Sequence, residues 1–414
     1  MGILVQKYGG SSVGDALKIA AVAQRVVDAR AAGNQIAVVV SAMGKTTDQL
    51  IALAQSVTST PEPRELDLLL STGEIVSSTL MAMALREIGV PSISLGGAQA
   101  GIRTDMIHGA ASIVHLDPAR IRRELGDGKV VIVAGFQGIT DDLDITTLGR
   151  GGSDTTAVAL AAALQADRCE VYTDVDGIYT ADPRVAPSAR KLAEIGYQDM
   201  LELASYGAKM HPRSIELAAW YKVPVLVASS TQNTPGTLIH DLASSNSDHT
   251  GDGAMEVSNK VSGVTYERNV ARITMRGVPD SPGIAANVFE PLTDANVSVD
   301  TIVQNVSADK TTDMSFTVER ADVTRALEVA LAVAKEIGAA DCVANDHLGN
   351  VSIVGTGMQN APGYASRMFR ALSNAGINIE MITTSQIRIT CIVDETQVDN
   401  AVRVLHDAFE LETE

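Results

Sequence analysis

The sequence predicts an α/β domain with a mostly parallel central sheet, followed by two copies of a smaller ferredoxin-like unit. From residue 1 to about 240, short apolar β-branched runs alternate with longer Ala- and Leu-rich runs. The short runs show no polar alternation, as expected for strands covered by helices on both faces. In the rest of the chain, one pattern of turn and apolar residues occurs twice. A chain of 414 residues is long enough for such a multidomain arrangement.

Six strands and six helices are predicted in the first domain. The predicted strands are Ile3–Lys7, Ile36–Ser41, Ser92–Leu95, Val130–Phe136, Glu170–Thr173 and Val225–Ala228. The predicted helices are Asp15–Ala32, Thr46–Ser56, Glu65–Ile88, Pro118–Leu125, Asp154–Ala166 and Ala208–Trp220. A stretch rich in Ser, Asp and Gly follows, and it is typical of a linker. We therefore divide the chain into a first domain, 1–240, and a linker, 241–260.

The internal repeat has an offset of 80 residues. Asp280-Ser-Pro-Gly recurs as Asn360-Ala-Pro-Gly, and the same offset pairs Phe289 with Phe369 and Asp300 with Glu380. Each copy has the pattern strand, Pro-Gly turn, helix, strand, strand, helix, which is typical of a ferredoxin-like unit. The repeats predict two further domains, 261–347 and 348–414.

Composition excludes several classes of protein. Only 32 Lys and Arg stand against 50 Asp and Glu, a formal net charge of −18, which argues against binding to nucleic acid or to an anionic membrane. The three cysteines are too far apart for a disulfide framework or a metal site. The chain begins directly with a strand pattern, and no apolar run approaches the ~20 residues of a membrane span. We expect a soluble, cytoplasmic protein.

The segment from Thr147 to Ala157 has the composition of an anion-binding loop. Two glycines, an arginine, a serine and a carboxylate directly precede an Ala- and Leu-rich helix. Glycine lets backbone N–H groups approach a ligand closely, and a helix N-terminus favours negative charge. The residues in question are Arg150, Gly151, Gly152, Ser153 and Asp154.

A second glycine turn lies where the first predicted strand ends. Lys7 is followed by Gly9 and Gly10, at the edge of the sheet where ligands bind in open α/β folds. The glycine N–H groups can cradle phosphate oxygens, with Lys7 as a point cation beside them. The alternative is a plain strand-to-helix turn with a solvated lysine.

Two nucleotide-binding motifs are only partly matched. Gly44-Lys-Thr lacks the glycine that a P-loop requires five residues earlier, where the chain has Val39. In the loop that starts at Gly149, Asp154 stands where a dinucleotide fingerprint has its last glycine. Both observations count against a P-loop NTPase and a dehydrogenase.

Three further features have both a structural and a functional interpretation. Glu74 is either a capping residue or a carboxylate placed for binding at a helix N-terminus. The segment 170–184 is either an Asp/Gly turn or a place where a nucleotide base stacks on Tyr179 and Arg184 reaches phosphates. Lys209 is either a second phosphate cation or a surface lysine. The histidines, including His211, show no metal-ligand spacing.

Together these segments resemble the aspartate kinases of the amino-acid-kinase superfamily, which carry tandem C-terminal ACT regulatory domains. The resemblance covers essentially the whole chain and rests on several long motifs in the family's order. These are Lys-Tyr-Gly-Gly-Ser-Ser at 7–12, Val-Ser-Ala-Met-Gly at 40–44, Ser-Thr-Gly-Glu at 71–74, Ala-Gly-Phe-Gln-Gly at 134–138, the Thr-Thr-Leu-Gly-Arg-Gly-Gly-Ser-Asp stretch at 146–154, the Tyr-Thr-Asp to Asp-Pro-Arg stretch at 172–184, and the Pro-Gly repeat with Gln304-Asn305. The chain departs from the family pattern in having only Met210 between Lys209 and His211, and Ala228 where an arginine is common.

The resemblance implies an amino-acid-kinase-type layered α/β sandwich that transfers the γ-phosphoryl group of ATP to the side-chain carboxylate of L-aspartate. That carboxylate has a pKa near ~3.9 and is ionised at neutral pH, so no general base is needed. Catalysis should consist of positioning and charge neutralisation. The implied product is 4-phospho-L-aspartate, the first step toward lysine, threonine and methionine. Mg²⁺ is implied by the ATP, held mainly by phosphates and water, and no protein ligands are assigned to it.

The resemblance also implies roles for individual residues. The catalytic residues would be Lys7 on the transferring phosphoryl group, Asp154 orienting Lys7, and Glu74 on the aspartate ammonium. The ATP site would comprise Lys7, Tyr8, Gly9, Gly10, Ser11, Thr173, Asp174, Tyr179, Arg184 and Lys209. The aspartate site would comprise Ser41, Thr47, Glu74, Arg150, Gly151, Gly152 and Ser153, with Arg150 as the bidentate partner of the α-carboxylate.

The two repeats would then sense lysine, threonine or both by feedback inhibition. The resemblance implies an effector site formed by Asp280, Pro282, Gly283, Ile284, Ala285, Ser298, Asp300, Gln304 and Asn305, with the effector carboxylate at a helix N-terminus. We expect either a homo-oligomer paired through the ACT domains or a separate ACT-only subunit made from an internal start at Met255. Two rival functions remain open: a kinase for glutamate or acetylglutamate, and a regulatory sensor with a degenerate kinase domain.

Overall fold

The computed structural model describes residues 2–206, 210–242, 261–305, 311–359 and 361–413. These residues form two compact units. Unit 1 comprises the described residues up to Tyr179 together with 191–242, and unit 2 comprises 180–190 together with the described residues from 261 onward.

Unit 1 is built on an eight-stranded sheet in the order β10-β12-β11-β9-β1-β2-β6-β3. Every neighbouring pair is parallel except β11 and β12. The central strands are almost completely buried, which agrees with their unbroken apolar sequences. The predicted α/β fold with a mostly parallel sheet is therefore confirmed. The strands of unit 1 are β1 Ile3–Tyr8, β2 Gln35–Val40, β3 Ser92–Leu95, β4 Ile102–Thr104, β5 Ile113–Leu116, β6 Val130–Ala134, β7 Gln137–Ile139, β8 Ile145–Thr147, β9 Arg168–Thr173, β10 Glu194–Gly196, β11 Val225–Ser229 and β12 Thr237–His240.

Seven described helices accompany this sheet. They are α1 Ala16–Ala31, α2 Thr46–Val57, α3 Pro63–Glu87, α4 Ala119–Gly126, α5 Gly152–Leu164, α6 Tyr197–Ser205 and α7 Pro212–Tyr221. The helix predicted from Ala208 is described only from Pro212, a proline at the first helical turn, and residue 208 lies outside the described residues. Helix α3 is long and apolar enough to cross a membrane by length and composition, but half of that stretch is buried, which is typical of a core helix.

Unit 1 also contains a small sheet, β5-β4-β7-β8, that we did not predict. Its strands are only three or four residues long, too short to show a period of two. This sheet carries Thr147, the last residue of β8, to the start of the glycine loop before α5.

Unit 2 contains a six-stranded antiparallel sheet in the order β14-β15-β13-β16-β18-β17. Two long strands, β13 and β16, run through both repeats. The first half of β13 pairs with the second half of β16, and the second half of β13 pairs with the first half of β16. The repeats therefore form one continuous sheet, with helices of each repeat packed in two separate apolar cores. The elements are β13 Gly263–Pro279, α8 Ile284–Asp294, β14 Val299–Gln304, β15 Thr311–Val318, α9 Val323–Ile337, β16 Asp341–Val354, α10 Tyr364–Asn374, β17 Met381–Thr384, β18 Arg388–Asp394 and α11 Val398–Ala408.

Residues 180–190 lie inside the range 1–240 in sequence, but their contacts place them in unit 2. Ala181 and Ala186 are buried in the core of the second repeat. Thr180 Oγ1 lies 2.9 Å from Nε2 of His406, a fully buried residue of α11. The Tyr266 hydroxyl donates a hydrogen bond of 3.2 Å to Asp182. This segment is therefore a structural part of the second repeat.

Candidate active site

A lysine–carboxylate pair lies at the carboxyl edge of the main sheet. Lys7, near the end of β1, is buried between β2 and β9, and its Nζ is 2.6 Å from Asp154 Oδ1. Asp154 is in the first turn of α5, where the helix N-terminus favours a carboxylate. The structure thus brings together two predicted site residues that are about 150 positions apart in sequence, through the parallel arrangement of β1 and the strands beside it.

The glycine turn after β1 lies directly beside this pair. A Cβ at Gly9 would be 3.6 Å from Lys7 Nζ, and a Cβ at Gly10 would be only 2.6 Å from the Ala42 carbonyl oxygen. Residues 10–13 form a 3-10 turn that starts at Gly10. Only glycine at position 10 allows this turn to pack against the loop after β2. Ser11, in the same turn, is exposed.

Tyr8, which ends β1, and Ser12, which lies in the turn, are both buried, unlike Ser11. The Tyr8 side chain is fully buried, stacks on Tyr172 at 5.0 Å and donates a hydrogen bond to Gln6, so only its backbone is available to a nucleotide. The Ser12 hydroxyl, which we did not predict, is buried and has no hydrogen-bond partner among the described residues. An unpaired buried hydroxyl is costly, and this one adjoins the phosphate-binding candidates.

The predicted anion-binding loop has a backbone that requires glycine. Gly149 and Gly151 have φ of +73° and +70°, in the left-handed region. Gly151 caps α5, and a Cβ there would overlap the ring and Cβ of His211. Arg150, between the two glycines, is exposed to solvent. Gly152 begins α5 and is buried, as is Ser153.

His211 is a neighbour of the loop that sequence reasoning missed. It precedes α7, and burial lowers the pKa of its imidazole. Its Nδ1 is buried without a hydrogen-bond partner among the described residues. The charges of Asp154 and Arg150 act on it, so it lies within the same charged cluster. The overlap with a Cβ at Gly151 is visible only in three dimensions.

Glu74 is buried in the middle of α3, so the expectation that it lies at a helix N-terminus is wrong, and one of its carboxylate oxygens is free. Its Oε1 accepts a hydrogen bond of 3.0 Å from the Ala42 backbone N–H, and Oε2 has no partner among the described residues. Burial raises the pKa of Glu74 to about 7. Close packing of Gly73 on Ala42 sets this contact, since a Cβ at Gly73 would lie 2.8 Å from the Ala42 Cβ. A cation that reaches Oε2 would therefore compensate the cost of burying the charge.

The predicted aspartate contacts Ser41 and Thr47 lie in or beside the loop between β2 and α2. Ser41 follows β2, and its carbonyl accepts a hydrogen bond of 2.8 Å from Ser77 Oγ on α3. Thr47 is half-buried in the first turn of α2. Ala42 thus joins two parts of the site, because its carbonyl faces Gly10 and its N–H binds Glu74.

The predicted nucleotide residues after β9 separate into two groups. Thr173 and Asp174 are joined by a hydrogen bond of 3.0 Å at the end of β9. The Tyr179 hydroxyl donates to Asp176 at 2.9 Å, which in turn pairs with Lys191 at 3.2 Å. These residues all belong to unit 1.

Arg184 and Lys209 are placed differently. Arg184 belongs to unit 2, is exposed and makes a bidentate pair with Asp182, at 2.7 Å for its shortest contact. Lys209 lies outside the described residues. Arg184 therefore belongs to a different unit from Lys7, and the role predicted for Lys209 stays a prediction.

The predicted effector residues belong to the first repeat of unit 2. Gly283 caps α8 with φ +91°, and Asp280 and Pro282 in the same turn are exposed. Asp300 and Gln304 lie on β14, an edge strand of the sheet, and Asn305 directly follows it. The remaining predicted effector residues are Ile284, which is buried, and Ala285 and Ser298, which are exposed.

No group of three or more His, Cys, Asp or Glu side chains suited to a metal occurs in the part of the chain that the structure describes. At the carboxyl edge of the main sheet, Asp154 is paired with Lys7 and Asp174 accepts from Thr173. This donor set suits a divalent cation that enters with a polyphosphate and keeps most of its water, rather than an all-protein cage.

Comparison with known proteins identifies families that match most of the chain. Residues 2–229 match the amino acid kinase family, and residues 273–331 and 351–409 each match the ACT domain. The chain is 49% identical to the aspartokinase of Pseudomonas aeruginosa, over 100% of this chain and 98% of that protein. The crystal structure of E. coli aspartokinase III with aspartate and ADP matches with a TM-score of 0.79 at 26% identity, over 98% of this chain and 99% of that one. The same enzyme with lysine and aspartate matches with a TM-score of 0.74, over 98% and 99%. The chain therefore belongs to the aspartokinases, with an amino acid kinase domain followed by a tandem pair of ACT domains.

Proposed function

We propose that this aspartokinase transfers the γ-phosphoryl group of ATP to the side-chain carboxylate of L-aspartate, giving ADP and 4-phospho-L-aspartate. The observation that carries the proposal is the free Oε2 of Glu74, a buried residue of α3. Its other oxygen accepts from Ala42, which lies in the loop that packs against the Gly10 turn beside Lys7. Such an oxygen suits a substrate with an ammonium group. The relative with aspartate and ADP bound supports both ligands.

Lys7 and the glycine turn would act on the phosphates. The Lys7 ammonium neutralises charge on the transferring group, and Asp154 holds that ammonium at 2.6 Å. Gly10 and Ser11 would offer their backbone N–H groups to phosphate oxygens. Gly9, which was expected to do the same, lies beside Lys7, but its N–H donates to the Tyr172 carbonyl at 3.4 Å. Mg²⁺ bound to the nucleotide would offset the remaining negative charge.

The amino-acid end of the substrate would be read by two residues of opposite charge. Glu74 accepts the ammonium, and Arg150 donates two hydrogen bonds to the α-carboxylate. The side-chain carboxylate then points to the phosphoryl group as a nucleophile that is already ionised. In this arrangement no residue has to remove a proton, and the rate enhancement comes from orientation and charge.

Regulation and assembly complete the proposal. We infer feedback inhibition by lysine, threonine or both at the ACT repeats, supported by the lysine complex of the E. coli relative. We further propose domain limits of 1–240, 261–347 and 348–414, a cytoplasmic location, and an oligomer formed through the ACT domains or with an ACT-only subunit. The candidate start of that subunit, Met255, lies outside the described residues.

The test is an assay of ADP release with aspartate, glutamate or acetylglutamate, with and without lysine and threonine. Of the three amino acids, only aspartate should support turnover in the presence of ATP. The variant Arg150→Ala should raise the KM for aspartate far more than the KM for ATP. Equal changes in the two KM values would contradict the role of Arg150. Turnover with glutamate or acetylglutamate, or none at all, would favour one of the two rival functions.

A further inference from the structure

Asp67 is a buried carboxylate whose hydrogen-bond donors all lie close to the turn that carries Arg150, residues 149–151. It lies on α3 and is 1% exposed. Its oxygens accept from the Gly109 N–H at 3.0 and 3.1 Å, from Thr147 Oγ1 at 2.6 Å and from His108 Nδ1 at 2.9 Å. A buried carboxylate with this many donors is firmly held, and it holds its donors equally firmly.

These donors come from the two segments that support the turn. His108 and Gly109 lie in the loop between β4 and β5, and Thr147 ends β8, three residues before Arg150. The loop and β8 are joined by a hydrogen bond of 2.9 Å from the Ala111 N–H to the Thr147 carbonyl. The loop also lies directly beside the turn itself, because a Cβ at Gly149 would be 3.0 Å from the Gly109 carbonyl oxygen.

Arg213, on α7, also connects these two segments by hydrogen bonds. Arg213 donates to the Leu148 carbonyl at 3.1 Å and to the Ala111 carbonyl at 2.8 Å. Asp67 and Arg213 therefore both connect the 108–111 loop to the residues just before Arg150. Arg150 itself is exposed, so its position depends on the backbone of this turn rather than on contacts of its own.

Asp67 and Glu74 are seven residues apart on one helix. Seven residues correspond to about two turns, so both side chains project from the same face of α3. Both are buried, but Glu74 keeps one oxygen free whereas both oxygens of Asp67 are used. One rigid helix face thus carries the acceptor for the substrate ammonium and the anchor of the turn that carries Arg150.

We propose that Asp67 is a positioning residue that sets the distance between Glu74 and Arg150, and thereby the fit of the α-amino-acid end of the substrate. The proposal rests on the proposed function of the site. It predicts a specific kinetic signature: loosening the turn weakens aspartate binding, while the phosphate contacts around Lys7 are unaffected. A purely structural role would instead reduce the amount of active enzyme, with both KM values unchanged.

The test compares Asp67→Asn with a matched control, Glu170→Gln, in the full-length protein. Glu170 is also a buried carboxylate of unit 1 with several donors, Gln6, Tyr172 and Arg168, none of which belongs to the Arg150 turn. Asp67→Asn should raise the aspartate KM by about tenfold to a hundredfold, as expected for a displacement near 1 Å, with the ATP KM within twofold of wild type. Glu170→Gln should leave the aspartate KM at the wild-type value.

Thr147→Val provides a second, milder variant that removes one of the hydrogen bonds. It should raise the aspartate KM by less than Asp67→Asn, and the double variant should show less than the product of the two effects, because both act through one contact. If Asp67→Asn fails to fold, Thr147→Val alone still tests the proposal. Wild-type aspartate KM in every soluble variant, or equal changes in both KM values, would overturn the role of Asp67. A wild-type enzyme that does not phosphorylate aspartate would overturn the proposed function instead.

Discussion

The raised pKa of Glu74 predicts how aspartate use depends on pH. The free protein holds this buried carboxyl with a pKa of about 7, and only the ionised form attracts the substrate ammonium. At pH 6, one unit below that value, about a tenth of the protein has Glu74 ionised, and at pH 8 about nine tenths. The value of kcat/KM for aspartate should therefore fall about tenfold per pH unit below pH 7 and level off above pH 8.

The assay is initial-rate kinetics at saturating ATP and limiting aspartate, from pH 6 to pH 9. The dependence on Glu74 is tested with Glu74→Gln, whose neutral amide should give a low kcat/KM without the decline below pH 7. The matched control is Glu87→Gln, the same change at the exposed end of the same helix, and it should reproduce the wild-type curve. A flat wild-type profile between pH 6 and pH 8, or an unchanged decline in Glu74→Gln, would refute the reasoning.

The raised pKa of Glu74 also predicts that the free energy of unfolding of the substrate-free protein depends on pH. Because the native-state pKa of Glu74 is raised from 4.5 to about 7, the native protein binds the proton more tightly than the unfolded chain. The contribution of Glu74 to stability therefore falls as pH rises from about 4.5 to about 7 and is constant above that range. The shift corresponds to at most about 3 kcal/mol. Glu74→Gln should be more resistant to urea than wild type at pH 8 and equal to it near pH 4.5. A difference independent of pH would contradict the shift.

Three further predictions concern other parts of the molecule. Gly151→Ala should nearly abolish activity, since its Cβ would overlap His211 and its φ is positive; kcat and aspartate KM measure this. Asp300→Asn should weaken inhibition by lysine or threonine without changing the uninhibited rate, measured as the concentration for half-inhibition. Thr180→Val should lower the stability of unit 2 by about 1 to 3 kcal/mol, because the buried His406 loses a hydrogen bond, measured by hydrogen exchange in α11.

Each of these three variants has a matched control variant in the same unit. Gly126→Ala adds a methyl group where nothing lies within 4 Å and should retain activity. Asp294→Asn, at the other end of α8 from the Gly283 turn, should leave inhibition unchanged. Thr293→Val removes an exposed hydroxyl and should leave exchange in α11 unchanged. An active Gly151→Ala enzyme, normal inhibition of Asp300→Asn, or unaltered exchange in Thr180→Val would contradict the corresponding prediction.

The main sheet was predictable because apolar periodicity reports burial directly. Two of its strands, β1 and β2, were located to within one residue, since each is a short apolar run between turn residues. The small sheet was missed because strands of three residues, such as β7, are held by neighbours rather than by their own pattern. The full length of β13 was not predicted, because its first half pairs with residues of β16 that are 78 to 91 positions away in sequence.

The site was partly predictable for a related reason. Glycines at 149 and 151 and the charged residues between and after them stand out locally, so the loop was found from sequence. Asp67 and His211 were not found, because each acts through a contact made only after folding: one under the 108–111 loop, the other against Gly151. The spacing of seven between Asp67 and Glu74 was the signal that could have indicated a shared helix face.

The packing of 180–190 into unit 2 has a consequence for synthesis of the chain. Thr180 and its partner His406 are 226 residues apart. At a translation rate of about 5 to 20 residues per second, the segment waits on the order of 10 to 50 s before α11 leaves the ribosome. Throughout that time Ala181 and Ala186 lack the core that buries them in the finished protein. The second repeat therefore cannot be completed until α11 has been made, and a chain released before that point would carry an uncovered apolar segment.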